Sequence, residues 1–254
     1  MLTRRCFIKN CVATVAALGI SENFSPPQVV TATENVDIPV LLYHRIGDTG
    51  GHLTISPDKF AQDLSRLRQL GYETISLELF RRYKVDPETP LPEKPIMISF
   101  DDGYLDNYLN AFLILRQYGM TAAFYIITSL VGEEDRLAAG HIREMADNGM
   151  SIGSHTVTHR QLGDMGVEEA TNEMSLSRLY LEGLLQKPVQ YIAYPKGSYN
   201  SFTGKVANES GYWGGFSILP GTCSLGTNPY VLRRIPVFSF DGDIGRTMTK
   251  RGRV

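Results

Sequence analysis

Two acidic residues stand side by side, Asp101 and Asp102, at the end of the apolar run Pro95-Ile96-Met97-Ile98-Ser99-Phe100. Adjacent carboxylates raise each other's ionisation cost unless a cation lies nearby, so one as metal ligand and one as base is a physically sensible division. A plainer role is also open to one of them, since an acidic residue between strand and helix is a good N-cap. The second pair is His155-Thr156-Val157-Thr158-His159, which uses two of the five histidines. His-x-x-x-His alone says little. Joined by a carboxylate from another strand end, it becomes a two-His, one-Asp donor set with open positions, the pattern of a catalytic rather than a structural metal site. The three cysteines, Cys6, Cys11 and Cys223, show no Cys-x-x-Cys spacing, so a thiolate zinc site is excluded and any metal is held by nitrogen and oxygen. His44, after Val40-Leu41-Leu42-Tyr43, is a third chemical residue at a run's end, with a packed histidine as its bland alternative.

The surrounding elements explain how these residues meet. From Ile38 onward short apolar runs alternate with amphipathic ones, which points to parallel strands covered by helices. Strands are expected at 38–43, 72–77, 95–100, 122–127, 150–154, 189–194 and 213–218, with 231–237 as a further one. Ser56-Pro57 supplies an N-cap and first-turn proline for a helix with Phe60, Leu64 and Leu67 on one face and Gly71 as its stop. Further helices are expected from Leu105 to Leu115, and at 136–148, 168–185 and 201–210. This predicts an α/β fold, a distorted parallel (β/α)7-type barrel, with no glycine-rich phosphate loop after the first strand. In such barrels the site is built on the loops after the strands, where the Asp pair, the His pair and His44 all fall.

The chain has 254 residues, 43% of them hydrophobic and 20% charged, with a formal net charge of −2, which is ordinary for a globular protein and leaves no footprint for nucleic acid. The basic run at 246–253 reads as a solvated tail. Thr3-Arg4-Arg5-Cys6-Phe7-Ile8-Lys9 followed by an uncharged stretch to Ile20 resembles a bacterial twin-arginine export signal, too short to span a bilayer. Residues 1–36 are therefore expected to be signal and spacer, cleaved between Ile20 and Val36 or retained as the only membrane attachment, and 37–254 one catalytic domain. The protein is expected in the periplasm or at the cell surface of a bacterium.

The runs Ser99-Phe100-Asp101-Asp102-Gly103-Tyr104 and Ser154-His155-Thr156-Val157-Thr158-His159 resemble the first two motifs of the NodB-homology polysaccharide deacetylase family. Val40-Leu41-Leu42-Tyr43-His44-Arg45-Ile46, Gly211-Tyr212-Trp213 and Leu232-Arg233-Arg234-Ile235 further resemble the branch that deacetylates poly-β-1,6-N-acetylglucosamine. The resemblance implies that Asp102, His155 and His159 bind a divalent metal, Zn2+ or another transition ion such as Co2+ or Ni2+, and that Asp101 is the general base. It implies a polysaccharide substrate, with peptidoglycan or chitooligosaccharides as alternatives and a non-catalytic carbohydrate-binding member as a further one.

Two departures matter. The family's third motif is relaxed here to Ala193-Tyr194-Pro195-Lys196-Gly197, so the arginine that tethers the base is missing, while a backbone N–H at Lys196 still suits an oxyanion. The histidine of the fifth motif is replaced in Leu232-Arg233-Arg234, and arginine does not release its proton, which leaves His44 as general acid. Tyr104, Tyr194, Pro195, Lys196 and Trp213 are expected to line the substrate site, the aromatics stacking on sugar faces.

Overall fold

The computed structural model describes residues 35–48 and 50–252, together with the backbone of Val29–Val30. The expected export signal lies outside the described residues; among them no helix is long and apolar enough to cross a membrane.

Seven strands run parallel around a barrel: β1 (Ile38–Tyr43), β2 (Pro95–Phe100), β3 (Ala123–Ile126), β4 (Ser151–Ser154), β5 (Tyr191–Ala193), β6 (Gly214–Phe216) and β7 (Ile235–Pro236). Pairing proceeds β6-β5-β4-β3-β2-β1, and the last segment closes the ring: Ile235 and Pro236 pair with Leu41 and Leu42 of β1, while Leu232 bridges to Phe216 of β6. Two short strands widen the sheet. Glu73–Thr74 joins β2 in parallel, and Thr222–Cys223 joins the start of β1 antiparallel.

Period-2 alternation sorts the side chains. Leu41, Tyr43, Ile96, Ile98, Phe100, Phe124, Ile126 and Ile192 face outward to one core shared with the helices. Val40, Met97, Ala123, Tyr125, Tyr191, Ala193, Phe216 and Leu232 face inward to a second core. A helix that the apolar pattern did not reveal, α2 (Leu77–Val85), joins this inner core through Leu77, Phe80 and Tyr83. The strand expected at 72–77 is accordingly cut to two residues, because the Ser76 side chain caps α2 by accepting the Leu79 N–H.

The outer helices are α1 (Pro57–Gln69), α3 (Leu113–Gln117), α4 (Ala139–Asp147), α5 (Val167–Leu185), α6 (Thr203–Glu209) and α7 (Ile244–Gly252). Ser56 caps α1 as its sequence predicts, accepting the Lys59 N–H. The expected helix after Asp101-Asp102 starts at Leu105 but widens at once into a π-helix over Asn107–Phe112, in which Leu109 is 51% exposed rather than on the buried face. The 246–253 tail is corrected as well. Over its described residues it belongs to α7, which buries Ile244, Thr247 and Met248 while Asp243 pairs with Arg66 of α1.

Candidate active site

The inward parity that fills the barrel continues one step past each strand end, and there it delivers charge instead of methyl groups. Met97 and Ser99 are followed by Asp101; Gly153 by His155; Val40 and Leu42 by His44; Leu232 by Arg234. These side chains therefore converge at the C-terminal mouth.

Asp102 sits at the turn between β2 and the π-helix with φ 76°, followed by Gly103 with φ 66°. A Cβ on Gly103 would lie 3.3 Å from the Ile126 side chain, so both conformation and space call for glycine there. The turn brings Asp102 Oδ1 to 3.4 Å from His155 Nε2 and 3.3 Å from His159 Nε2. One ligand atom from each residue lies within 4.8 Å of the other two. Asp102 Oδ1 is buried and takes no hydrogen bond from the described residues, which is costly for a carboxylate oxygen unless a cation completes it. Tetrahedral donors at zinc distances stand about 3.3 Å apart, so this spacing fits such an ion. The Nδ1 of His155 is 2.8 Å from the Ala193 carbonyl, which fixes the proton there and turns the bare Nε2 toward Asp102.

Asp101 is 3% exposed and its two oxygens accept from Arg234 Nη1 at 2.7 Å and Nη2 at 2.8 Å. Burial works against ionisation of Asp101, but the charges of Arg234 and His155 outweigh it and hold the carboxyl below its ordinary range. For Asp102 burial is likewise overcome, by the close approach of His155 and His159 and by His155's charge, which hold its carboxyl well below the ordinary range. His155 is raised: its burial opposes protonation, yet the two carboxylates prevail. A field that draws protons to this point also draws metal cations.

Arg234 corrects the sequence reading that the base has no tethering arginine. Fully buried, it gives Nε–H to the Ser217 carbonyl and its fork to Asp101, the bidentate geometry that arginine favours. Its value was legible only as a residue unfit to be an acid. Nothing local signals a partner 133 positions away.

His44 reaches the same mouth. Burial lowers its pKa, Arg234 and His155 push the same way, and Asp101 and Asp102 pull back. Its Nδ1 is buried and has no hydrogen-bond partner among the described residues. Asn107 and Asp106 of the π-helix segment, which sequence reasoning passed over, hold the backbone beside it: Asn107 Nδ2 donates to the His44 carbonyl at 2.8 Å, and Asp106 accepts the Ile46 N–H at 3.2 Å.

The expected substrate residues divide. Lys196 is exposed after β5 in a left-handed turn with φ 54°, and Pro195 is buried beneath it; among the described residues no backbone acceptor takes the Lys196 N–H. Tyr104 neighbours Asp102, but the guanidinium carbons of Arg45 and Arg136 lie 4.4 and 4.1 Å from its ring centroid, so cations occupy the ring expected to stack on sugar. Tyr194 is not brought into the site. It has outward parity and is fully buried, with its hydroxyl donating to the Tyr230 carbonyl. Trp213 precedes β6 and so lies at the opposite, N-terminal end of the barrel, with its ring edge on Tyr191 at 5.6 Å.

Comparison with known proteins agrees with this layout. A family model described as polysaccharide deacetylase matches residues 88–214, a span that holds both motifs but neither His44 nor Arg234. The Bacillus subtilis protein YxkH, named for the same family, is 33% identical over 200 residues, covering 79% of this chain and 71% of its own length. A Staphylococcus aureus poly-β-1,6-N-acetyl-D-glucosamine N-deacetylase is 29% identical over 196 residues, covering 72% of this chain and 67% of its own. Among solved structures, the Streptococcus pyogenes deacetylase PplD in complex with acetate superposes with a TM-score of 0.80 at 30% identity, over 87% of this chain and all of that one. In sequence, fold and the arrangement of its two motifs, the chain belongs to the polysaccharide deacetylase family.

Proposed function

We propose that this protein is a metal-dependent N-deacetylase acting on N-acetylglucosamine residues of an extracellular polysaccharide, with poly-β-1,6-N-acetylglucosamine as the favoured polymer. The observation that carries the reading is the convergence of His155 Nε2 and His159 Nε2 on the unpartnered Asp102 Oδ1, beside an Asp101 held ionised by Arg234. Asp102, His155 and His159 would hold Zn2+, or Co2+ or Ni2+ in its place. Such an ion supplies Lewis-acid polarisation of the acetamide carbonyl and acidifies water, which is why a carboxylate as weakly basic as Asp101 suffices.

Asp101 accepts a proton from the attacking water, its orientation set by the Arg234 fork. The Lys196 N–H donates to the oxygen on which charge develops. His44 gives a proton to the departing amine; its burial lowers proton affinity and so makes the imidazolium a stronger donor. The β-1,6 polymer is favoured by the Staphylococcus aureus relative, whose name gives that substrate. Action outside the cytoplasm is the reading that such a substrate and the twin-arginine-like run at 3–9 support.

The test is acetate release from β-1,6 and β-1,4 N-acetylglucosamine oligomers and from peptidoglycan, with zinc or cobalt supplied. Release should be highest on the β-1,6 series, and Asp101→Asn should abolish it while metal stays bound. Silence on every substrate sinks the reading; preference for another polymer sinks only the substrate assignment.

A further inference from the structure

The loop that carries His159 is strained. Thr156 has φ 67° and His159 φ 62°, left-handed values that a β-branched threonine in particular resists. Several contacts hold this shape. Thr156 N–H donates to Ser154 Oγ at 3.1 Å, and His159 N–H to Thr156 Oγ1 at 3.0 Å. The carbonyls of Thr156 and Val157 accept from Thr128 and Ser129. The amides of Val157 and Thr158 point the other way, and one carboxylate takes both: Glu173 Oε2 accepts them at 2.9 and 2.8 Å. Its Oε1 accepts the Thr158 hydroxyl at 2.6 Å.

Glu173 stands on α5, which packs outside β4; the same helix also reaches this segment through Ser177 Oγ, 2.7 Å from Ser154 Oγ, and through Glu169, which accepts from Arg160, but only Glu173 takes amides of the turn itself. His155 does not depend on it, since Ala193 fixes that ring. His159 has no comparable side-chain anchor among the described residues; its ring is 29% exposed and its place follows from the backbone beneath it. We infer that Glu173 is a positioning residue for the metal centre: by closing the Thr156–His159 turn from outside the barrel it presets His159 Nε2 against Asp102, without touching the ion or the substrate. This rests on the metal-site reading above.

The measurement is the Zn2+ dissociation constant of the full chain, by competition with a chromophoric chelator, with the melting temperature of the metal-free protein as control. Glu173→Ala should weaken binding about 10- to 100-fold, the range for lost supporting partners of metal ligands. Alanine is a good helix former, so α5 itself is not impaired. Glu173→Gln should stay within about threefold, because its carbonyl can accept both amides and its amide can donate to Thr158 Oγ1. In a His159→Ala background, Glu173→Ala should add no further loss, since the ligand it presets is gone. Native-like affinity in Glu173→Ala, or an equal loss with and without His159, overturns the inference while leaving the metal site standing. A native chain that binds no divalent cation overturns both.

Discussion

Arg234 and Asp101 each offset the burial of the other, and neither has a second charged partner at hydrogen-bonding distance among the described residues. Removing one partner leaves the other charge uncompensated in the interior, which costs about 3–5 kcal/mol, far more than a surface ion pair. Arg234→Met should therefore lower unfolding free energy by that order in denaturant titrations, and adding Asp101→Asn should restore part of it. Recovery of nothing would mean that the guanidinium acts mainly through the Ser217 carbonyl. His44→Ala is predicted to lower kcat about 10²- to 10⁴-fold, the usual span for a general acid, with the zinc dissociation constant unchanged. Full activity in that variant would remove His44 from the mechanism and leave the metal site as it stands.

At the level of elements, the barrel strands act as rulers with a two-residue period, and the site inherits that period. Gly153 is an inward position of β4, and the same parity carries on to His155 just past the strand end; a Cβ at Gly153 would come within 2.4 Å of the Tyr125 ring and 3.1 Å of the Tyr191 carbonyl. Gly153→Ala should thus destabilise by about 1–3 kcal/mol as an overpacking change, and should also disturb zinc affinity because His155 follows two residues later, directly after the strand. Circular dichroism melts and the chelator titration check the two parts separately. The π-helical turn at Asn107–Phe112 has the corresponding effect on the other side. It carries Asn107, fully buried, under the His44 carbonyl, while Leu109 in the same turn stays exposed.

For the whole molecule, closure of the ring is the deciding event. Residues 232–236 join β6 to β1, and the same crossing inserts Arg234 into the mouth. Cys223, beside the start of β1, reports on this closed state. It is fully buried, its thiol donates to the Arg233 carbonyl, and burial pushes its pKa up to about 11. At pH 8 roughly one thiol in a thousand would be ionised even if accessible, so peptide-mapped alkylation of Cys223 should be negligible in the native protein and become complete on unfolding. Native-state labelling would show that the Thr222–Cys223 strand opens on its own. Truncation after Gly242 removes Ile244 and Met248 from the core beside α1, at about 1.5–3 kcal/mol for each buried side chain, and should lower the melting temperature clearly.

Much of this was legible along the chain. Apolar runs marked β1 and β2 to the residue, Ser56-Pro57 marked the start of α1, and Asp101, Asp102, His155 and His159 stood out as candidates because each lies just past a strand end in sequence. Those features rest on local periodicity and local capping, which sequence carries directly. The pairing of Arg234 with Asp101, the exclusion of Tyr194 and Trp213 from the site, the docking of α7 and the hold of Glu173 on the histidine loop were decided by tertiary structure. Each depends on which strand closes against which, and on which end and face a side chain then finds itself. Those relations are set by burial summed over the whole barrel, and no short window of residues contains them.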